Sequence, residues 1–401
     1  MSSKKNHVIM SSCIKIKSSR VLVAPLDWGL GHATRCVPII ERLLAEGHEV
    51  VIAADGYPLR FLRREFPHLD WVKFEGLKVE YADGQSQVGA MLRQLPRFLR
   101  DIWREHKRLK EIVRMYDIDM VVSDNRFGLW CRGVYSVYMT HQLMVKMPRG
   151  LEWMEWAVWR FHRWFIKHYD ECWVPDIEGE GNLSGDLSHK YPLLENTKFI
   201  GVLSRFSSEK VEWEDVRVEA EALGLQQRYD VVAVLSGPEP HRSNLEQEIT
   251  DCRLQITEGQ QSTVNSQQTI TPSEQSSRPP KTGGQYKIVS GQQILTPSEQ
   301  SSRLPKTGRQ YKIVNSQQSL LIVQGLPEDD LRLAEHRDGV DYIPHLPTRL
   351  LQWYMQEAEE IVCRSGYSSI MDLHTIGRKA HLIPTPGQTE QEYLKIIHNF
   401  S

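Results

Sequence analysis

A histidine beside two glycines is the residue in this chain best placed for acid–base chemistry. His32 follows Gly29 and Gly31 in a turn directly after the apolar run 21–26. Glycines allow positive φ angles and close backbone approach, so the amides at the start of the next helix can face an anion or a sugar hydroxyl. A histidine side chain titrates near neutral pH and can take a proton from an attacking hydroxyl. The pattern predicts a strand, a ligand-facing loop and a candidate general base, with a purely structural turn as the alternative.

Asp124 is the candidate partner of this histidine. It ends the run 118–124, a predicted strand whose last residues are polar. Strands of this kind usually point their polar tips at a ligand crevice, where a carboxylate could pair with His32. The alternative interpretation of Asp124 is a helix N-cap.

Alternating strand and helix patterns position both residues. Residues 36–46 have apolar side chains at helical spacing and precede a buried strand at 49–54, a strand-helix-strand unit typical of parallel pairing. Further strands are predicted at 118–124, 137–142, 172–176 and 198–202. We expect residues 20–203 to form an N-terminal Rossmann-like domain and residues 204–228 to form a linker.

The second half of the chain shows the same pattern. A buried strand at 230–235 runs into a loop that contains Ser236 and Gly237 before another helix. Two such units in one chain predict two similar α/β domains with a crevice between them. Residues 229–401 are expected to be the C-terminal domain.

Polar residues after two later strands have the chemistry to bind a nucleotide sugar. A turn of small residues, Ser365, Gly366 and Ser368, leaves room for a diphosphate at a helix N-terminus. Asp372, one turn further on, could accept hydrogen bonds from ribose hydroxyls. The loop after the strand at 380–384 carries the donors and acceptors that a pyranose requires: Gln388, Glu390 and Gln391.

A tandem repeat interrupts the second domain. Residues 271–278 return 25 residues later at 296–303, in a stretch rich in Ser, Gln, Pro and Gly. Such a stretch has too few apolar groups to bury a core. We expect a disordered insertion at about 255–318 and a disordered leader at 1–19.

Composition narrows the class of protein and its surroundings. The formal net charge is −2, which argues against a dedicated nucleic-acid binder. Six scattered cysteines with no Cys-x-x-Cys pair disfavour a zinc site or a disulfide framework and favour a cytoplasmic location. Residues 144–173 combine five tryptophans with basic side chains, so they could lie against an anionic membrane at its inner face or, as the more common outcome, pack into the core.

Four motifs, in this order, resemble those of nucleotide-sugar glycosyltransferases. They are the glycine-histidine loop at 29–32 and the segments 236–240, 364–369 and 384–391. The whole resembles the two-domain GT-B architecture and is most similar to bacterial transferases, family 28-like, that add N-acetylglucosamine to the peptidoglycan lipid precursor. The resemblance spans about residues 20–395 without the repeat.

This resemblance implies an acceptor domain followed by a donor domain, with the sugar nucleotide, expected to be a UDP sugar, in the cleft. His32 falls where the family places a catalytic or acceptor-orienting group. The donor side is implied to comprise Ser236, Gly237, Arg364, Ser365, Gly366, Ser368, Asp372, Gln388, Glu390 and Gln391. We expect transfer of a hexose or N-acetylhexosamine to a glycan or lipid-linked acceptor, without metal or cofactor, because positioning and amide dipoles can stabilise the departing diphosphate.

Two other functions stay open on the sequence alone. One is a sugar-nucleotide epimerase, which shares the same two-domain architecture. The other is an inactive nucleotide-sugar-binding remnant, because the chain ends ten residues after Gln391, whereas GT-B proteins usually continue with further helices.

Overall fold

A computed structural model describes residues 18–27, 29–76, 87–148, 150–251, 318–327 and 332–398, with the backbone alone at 87–95. The described residues up to 246 and from 318 onward belong to one unit, which contains both sheets described below. All but residues 18 and 19 of the predicted leader, and all but residue 318 of the predicted repeat insertion, lie outside the described residues; Ser19 is buried.

The N-terminal half is built on a seven-stranded, fully parallel sheet with the order β3-β2-β1-β4-β5-β6-β7. Its strands are β1 (Arg20–Pro25), β2 (Glu49–Ala54), β3 (Asp70–Lys73), β4 (Met120–Asp124), β5 (Tyr135–Met139), β6 (Glu171–Val174) and β7 (Thr197–Phe199). Its helices are α1 (Leu30–Ala45), α2 (Gly56–Glu65), α3 (Gln87–Met115), α4 (Met154–Ile166) and α5 (Asp186–His189).

The C-terminal half is built on a six-stranded sheet with the order β10-β11-β9-β8-β12-β13, in which only β10 is antiparallel to its neighbour. Its strands are β8 (Val231–Val234), β9 (Leu320–Val323), β10 (Glu335–Arg337), β11 (Val340–Ile343), β12 (Glu360–Arg364) and β13 (His381–Ile383). Its helices are α6 (Trp213–Ala222), α7 (described over 241–251), α8 (Thr348–Glu357), α9 (Tyr367–Thr375) and α10 (Thr389–Ile397).

Burial of apolar residues explains why the sheets form. In β1, four consecutive residues from Val21 to Ala24 have no exposed surface, as expected for a central strand covered by helices on both faces. The same apolar cluster that covers β1 with α1 also contains Ile370 and Met371 of α9. The two halves are therefore joined through packed side chains as well as through the chain between them.

The predicted fold class, two Rossmann-like α/β domains, is confirmed. Three details differ from the sequence-based expectations. Residues 389–397 form a helix where a polar loop was expected, because Leu394 gives this segment a buried apolar anchor. Apolar residues at 206–225 pack into the core of the second sheet, so much of the predicted linker is part of that core. In the aromatic segment 144–173, packing into the core was the more common outcome expected, but Trp153, Trp156 and Trp164 are exposed.

Candidate functional site

The site lies where the strand order of the first sheet reverses. β1 and β4 are adjacent and parallel, with Pro25 opposite Asp124 at their carboxyl ends. The connection from β1 leads to β2 on one side, and β4 leads to β5 on the other. Ligands of open α/β sheets bind in the crevice at such a reversal. His32, in the first turn of α1, and Asp124, the last residue of β4, both lie at this crevice.

The structure brings His32 and Asp124 together. Nδ1 of His32 lies 3.0 Å from Oδ2 of Asp124, which is fully buried. Arg35 contacts both oxygens of the same carboxylate, with its Nε 3.0 Å from Oδ1 and 2.9 Å from Oδ2. Burial alone would raise the pKa of Asp124, but Arg35 and His32 hold that pKa below its usual value. Asp124 is therefore a stable anion that can pair with a protonated His32.

Two groups compete for Nδ1 of His32. Asp124 lies 3.0 Å away and Arg35 Nη2 lies 2.8 Å away. A carboxylate only accepts hydrogen bonds and a guanidinium only donates them, so the two contacts require opposite tautomers of the ring. The tautomer with Nδ1–H bonded to Asp124 leaves Nε2 as the atom that can take up a proton.

Glycine loops of the two domains face each other beside His32. Gly29 has a φ of 78°, and a Cβ there would lie 4.0 Å from the backbone of Gly237. Ser368 Oγ donates to the carbonyl oxygen of Gly31 at 2.7 Å, and a Cβ on Gly31 would lie only 3.0 Å from that Oγ. The close approach explains why small residues are needed here. It also places two predicted donor-side residues next to the predicted acceptor-side loop.

The second sheet reverses its strand order between β8 and β12. Ser236 and Gly237 follow β8, whereas Arg364 ends β12 and Ser365 and Gly366 follow it. These five predicted donor-side residues thus flank the second crevice. The arrangement is the one that predicts a nucleotide site in an open α/β sheet.

Hydrogen bonds hold the other predicted donor-side residues in place. Ser365 Oγ donates to the carbonyl oxygen of Gln391 at 2.8 Å, and Arg364 Nη1 donates to the carbonyl oxygen of Pro384 at 3.2 Å. Gln391 Nε2 in turn donates to Gln388 Oε1 at 2.6 Å. The turn after β12 and the start of α10 therefore form one connected surface.

Asp372 lies near the chain that leaves the first domain. Ser204 Oγ donates to Asp372 Oδ1 at 2.5 Å, and Arg205 Nε lies 4.0 Å from its Oδ2. Burial raises the pKa of Asp372 to about 6, although Arg205 and Ser204 oppose this effect. Arg205 is itself buried, and its Nε and Nη1 make no hydrogen bond to the described residues.

Two residues that the sequence analysis did not assign complete the site. Arg35 lies three positions after His32 on α1, so both side chains share one helix face, which is a signal visible in the sequence. His141 follows β5, the strand next to β4, and therefore lies at the same sheet edge as Asp124. Like Asp124, His141 is a polar residue at the end of a strand, but no sequence pattern near it indicates which residues it contacts.

In the described part of the chain, no group of three or more His, Cys, Asp or Glu side chains is arranged to hold a metal ion. Among the described helices, none combines the length and the apolar character needed to cross a bilayer.

Comparison with known proteins relates this geometry to sugar transfer. Residues 20–146 match glycosyl transferase family 1. A protein of Methanosarcina acetivorans named as an uncharacterized glycosyltransferase is 27% identical over 166 residues, which are 39% of this chain and 42% of that relative. The chain thus matches less than half the length of this relative.

The fold is similar to that of a solved glycosyltransferase. The spinosyn rhamnosyltransferase SpnG, complexed with thymidine diphosphate, is 12% identical with a TM-score of 0.50, over 94% of this chain and 84% of SpnG. MurG of Acinetobacter baumannii is 10% identical with a TM-score of 0.41, over 95% of this chain and 84% of MurG. The expected similarity to the peptidoglycan-precursor transferases in particular stays a prediction. The chain has the GT-B fold of two Rossmann-like domains, and its first 146 residues include a match to glycosyl transferase family 1.

Proposed function

We propose that this protein is a glycosyltransferase that moves a hexose or N-acetylhexosamine from a nucleotide sugar to a hydroxyl of an envelope or lipid-linked acceptor. The observation that carries the proposal is the contact between His32 and Asp124 at the first strand reversal, directly opposite the glycine loop at Gly237. The match of residues 20–146 to glycosyl transferase family 1 supports it.

His32 is the proposed general base. With Nδ1–H bonded to Asp124, Nε2 takes the proton of the acceptor hydroxyl while the hydroxyl oxygen attacks the anomeric carbon. The bond from that carbon to the donor's diphosphate oxygen breaks, and its electron pair leaves with the diphosphate. Asp124 stabilises the imidazolium that forms, because its carboxylate stays ionised in the buried site.

The donor is proposed to lie along the second strand reversal. Backbone amides at the start of α9, after Gly366, are oriented to stabilise the developing charge on the diphosphate. Asp372 is proposed to accept hydrogen bonds from the ribose, and the start of α10 to contact the sugar. The uridine preference rests on the motif resemblance, whereas SpnG was solved with thymidine diphosphate.

A thermal-shift screen tests donor binding. UDP, dTDP, GDP and ADP, and a glucose or N-acetylglucosamine conjugate of each, are added to the purified protein at increasing concentration. A ligand of the folded state raises the apparent melting temperature in a concentration-dependent way. We expect UDP and its sugars to do so. If no nucleotide or nucleotide sugar shifts the transition, the donor site is wrong.

Variants on the donor side sharpen that test. Asp372→Ala and Glu390→Ala should each weaken nucleotide-sugar binding, measured by calorimetry. Glu392→Ala is the matched control, because Glu392 is exposed and lies two residues from Glu390 on the same helix. Normal donor affinity in both test variants would disprove the proposed contacts of Asp372 with the ribose and of Glu390 with the sugar.

A set of exposed tryptophans supports the proposal of a lipid-linked acceptor. Trp153, directly before α4, and Trp156 and Trp164 on α4 are 73%, 54% and 56% exposed. Their spacing places them along one side of the helix, and Arg160 lies 5.1 Å from the ring centre of Trp156. A helix with exposed tryptophans and cations is typical of proteins that lie in a membrane interface.

The adjacent helix α3 extends this surface with positive charge. α3 packs against α4 through a cluster that contains Ile102 and Phe165. Between residues 96 and 115 the helix has seven Arg and Lys residues against three Asp and Glu residues. Trp103 is 56% exposed, with Lys107 Nζ 3.9 Å from its ring centre. This combination favours an anionic lipid surface over a protein partner.

Vesicle sedimentation tests the membrane contact. The protein should sediment with phosphatidylglycerol vesicles and much less with phosphatidylcholine vesicles. The double variant Trp156→Ser/Trp164→Ser should lose this binding by about tenfold or more, because each buried indole contributes more than 1 kcal/mol. Trp71→Ser is the control, since Trp71 is 43% exposed but lies on β3. Equal binding of the double variant and the wild type would disprove the proposed membrane contact of these tryptophans.

Product analysis separates transfer from the two alternatives. A transferase releases a nucleoside diphosphate and a glycoside only when an acceptor is present. An epimerase changes the sugar of the donor without any acceptor, and an inactive remnant binds the donor without turnover.

A further inference from the structure

His141 contacts both domains at once. It lies two residues after the end of β5 and is buried. Its Nδ1 is 3.0 Å from Nη1 of Arg35 on α1, and its Nε2 is 2.7 Å from Oε1 of Glu390 on α10. Its ring stacks on Tyr367 of α9, with 4.1 Å between ring centres and an interplanar angle of 4°. One side chain of the first domain therefore meets two helices of the second.

These contacts fix the protonation of the ring. Arg35 has only hydrogen-bond donors, so Nδ1 of His141 must accept. A neutral imidazole then carries its proton on Nε2, which donates to the carboxylate of Glu390. A protonated ring would bring an N–H of His141 against an N–H of Arg35. The geometry therefore requires a neutral His141 in the Nε2–H tautomer.

We infer that His141 is a positioning residue that holds Glu390 in place to bind the donor sugar, and that Arg35 sets the His141 tautomer needed for this. The inference rests on the proposed function for the role of Glu390. Binding of Oε1 by His141 fixes the carboxylate, and Oε2 accepts no hydrogen bond from the described residues. A sugar hydroxyl can donate to that second oxygen.

Arg35 also links this arrangement to the proposed base. The same guanidinium contacts Asp124 through Nε and the rings of His32 and His141 through Nη2 and Nη1. Donor sugar and acceptor hydroxyl would thus be aligned by one connected set of side chains. Alignment of reacting groups contributes strongly to rate because small displacements are costly.

The electrostatic environment agrees with a neutral ring. Burial lowers the pKa of His141; Glu390 opposes this effect, and Arg35 and His32 add to it. Burial would raise the pKa of Glu390, but His141 keeps it below its usual value. The charged and titratable groups that face His141 are Arg35 and His32 on α1, Tyr367 on α9 and Glu390 on α10. At neutral pH a neutral His141 therefore donates a hydrogen bond to an ionised Glu390.

Three substitutions of His141 separate its contacts. His141→Gln keeps an N–H near the position of Nε2, His141→Asn keeps polar atoms near Nδ1 only, and His141→Phe keeps only the stacking on Tyr367. His48→Phe is the control, because His48 is buried and accepts a hydrogen bond from Ser19 N at the amino end of the sheet, away from the site.

Calorimetry with UDP and with UDP-glucose, UDP-galactose and UDP-N-acetylglucosamine isolates the sugar contact. We expect the sugar that binds best to lose about tenfold or more in affinity in His141→Phe and His141→Asn, and less in His141→Gln, while the affinity for UDP itself stays constant. Glu390→Gln should show the same loss, and adding it to His141→Phe should cost little more. Unchanged sugar discrimination in His141→Phe would overturn the inference.

Nitrogen chemical shifts of the histidine rings provide a readout that needs no activity. In protein labelled with ¹⁵N-histidine, the His141 signal is identified by its absence in His141→Gln. We expect an Nε2–H tautomer in the wild type and a mixed or charged ring in Arg35→Gln. A protonated Nδ1 in the wild type would overturn the inference even if donor binding is normal. If the wild type binds no nucleotide sugar, the proposed function and the donor-positioning role of His141 both fail, whereas the tautomer result stands by itself.

Discussion

Nδ1 of His32 lies 3.0 Å from Oδ2 of Asp124, although 92 residues separate them in the sequence. The parallel pairing of β1 with β4 creates this contact, because it places Pro25 opposite Asp124 and lets α1 begin directly above the carboxylate. The same pairing brings Arg35 within hydrogen-bond distance of both carboxylate oxygens of Asp124. The contacts among His32, Asp124 and Arg35 are thus consequences of one strand reversal.

Arg35 should be essential for stability. Its side chain is 2% exposed and that of Asp124 is fully buried, so Arg35→Met leaves a buried carboxylate that keeps only His32 and the weakly donating Cys36 thiol among its described partners. Because breaking a buried ion pair is costly, we expect the free energy of unfolding to fall by about 3–5 kcal/mol in a urea titration. Arg42→Met is the control on the same helix: Arg42 and Glu46 are each about one-third exposed, and the expected cost is below about 1 kcal/mol. Equal effects of the two substitutions would contradict the account.

Stability should fall as the pH drops from 7 to 4. Burial lowers the pKa of His162 to about 4 from 6.5. Between these values the unfolded chain binds a proton that the folded chain does not, so acid favours unfolding. The expected contribution is about 3 kcal/mol, since one pKa unit corresponds to about 1.4 kcal/mol. In His162→Phe the unfolding free energy should change less over this range. An unaltered pH dependence in the variant would show that His162 is not the cause.

The sequence predicts the location of the site better than the contacts between its side chains. His32 and Asp124 follow from a glycine turn and a polar strand end, two local patterns. For Arg35, the sequence indicates only that it shares a helix face with His32, three residues earlier. The partner of His141, Glu390, is 249 residues away, so no local pattern could join them. The exposed tryptophans of α4 were missed for a similar reason, because large apolar side chains are usually buried and their exposure depends on the surrounding fold.

Deletion of one copy of the repeat should be tolerated. Residues 271–295 have few large apolar side chains, so ordering them would cost about 1–2 kcal/mol per residue with little burial to offset it. Shortening an unstructured loop changes its closure entropy by only about 0.6 kcal/mol per halving. We expect the deletion variant to keep its unfolding free energy and donor affinity, and limited proteolysis of the wild type to cut first within 260–316. Loss of donor binding on deletion would mean that the repeat is a folded part of the donor domain.

Turnover of His32→Ala tests the central claim most directly. With the donor identified by the thermal-shift screen and an acceptor present, the rate of nucleoside diphosphate release is measured together with the affinity for the donor. The account predicts that kcat falls by about 100-fold or more, the scale of general base catalysis, while the donor Kd stays nearly the same. An unchanged kcat would contradict it and leave His32 with a structural role.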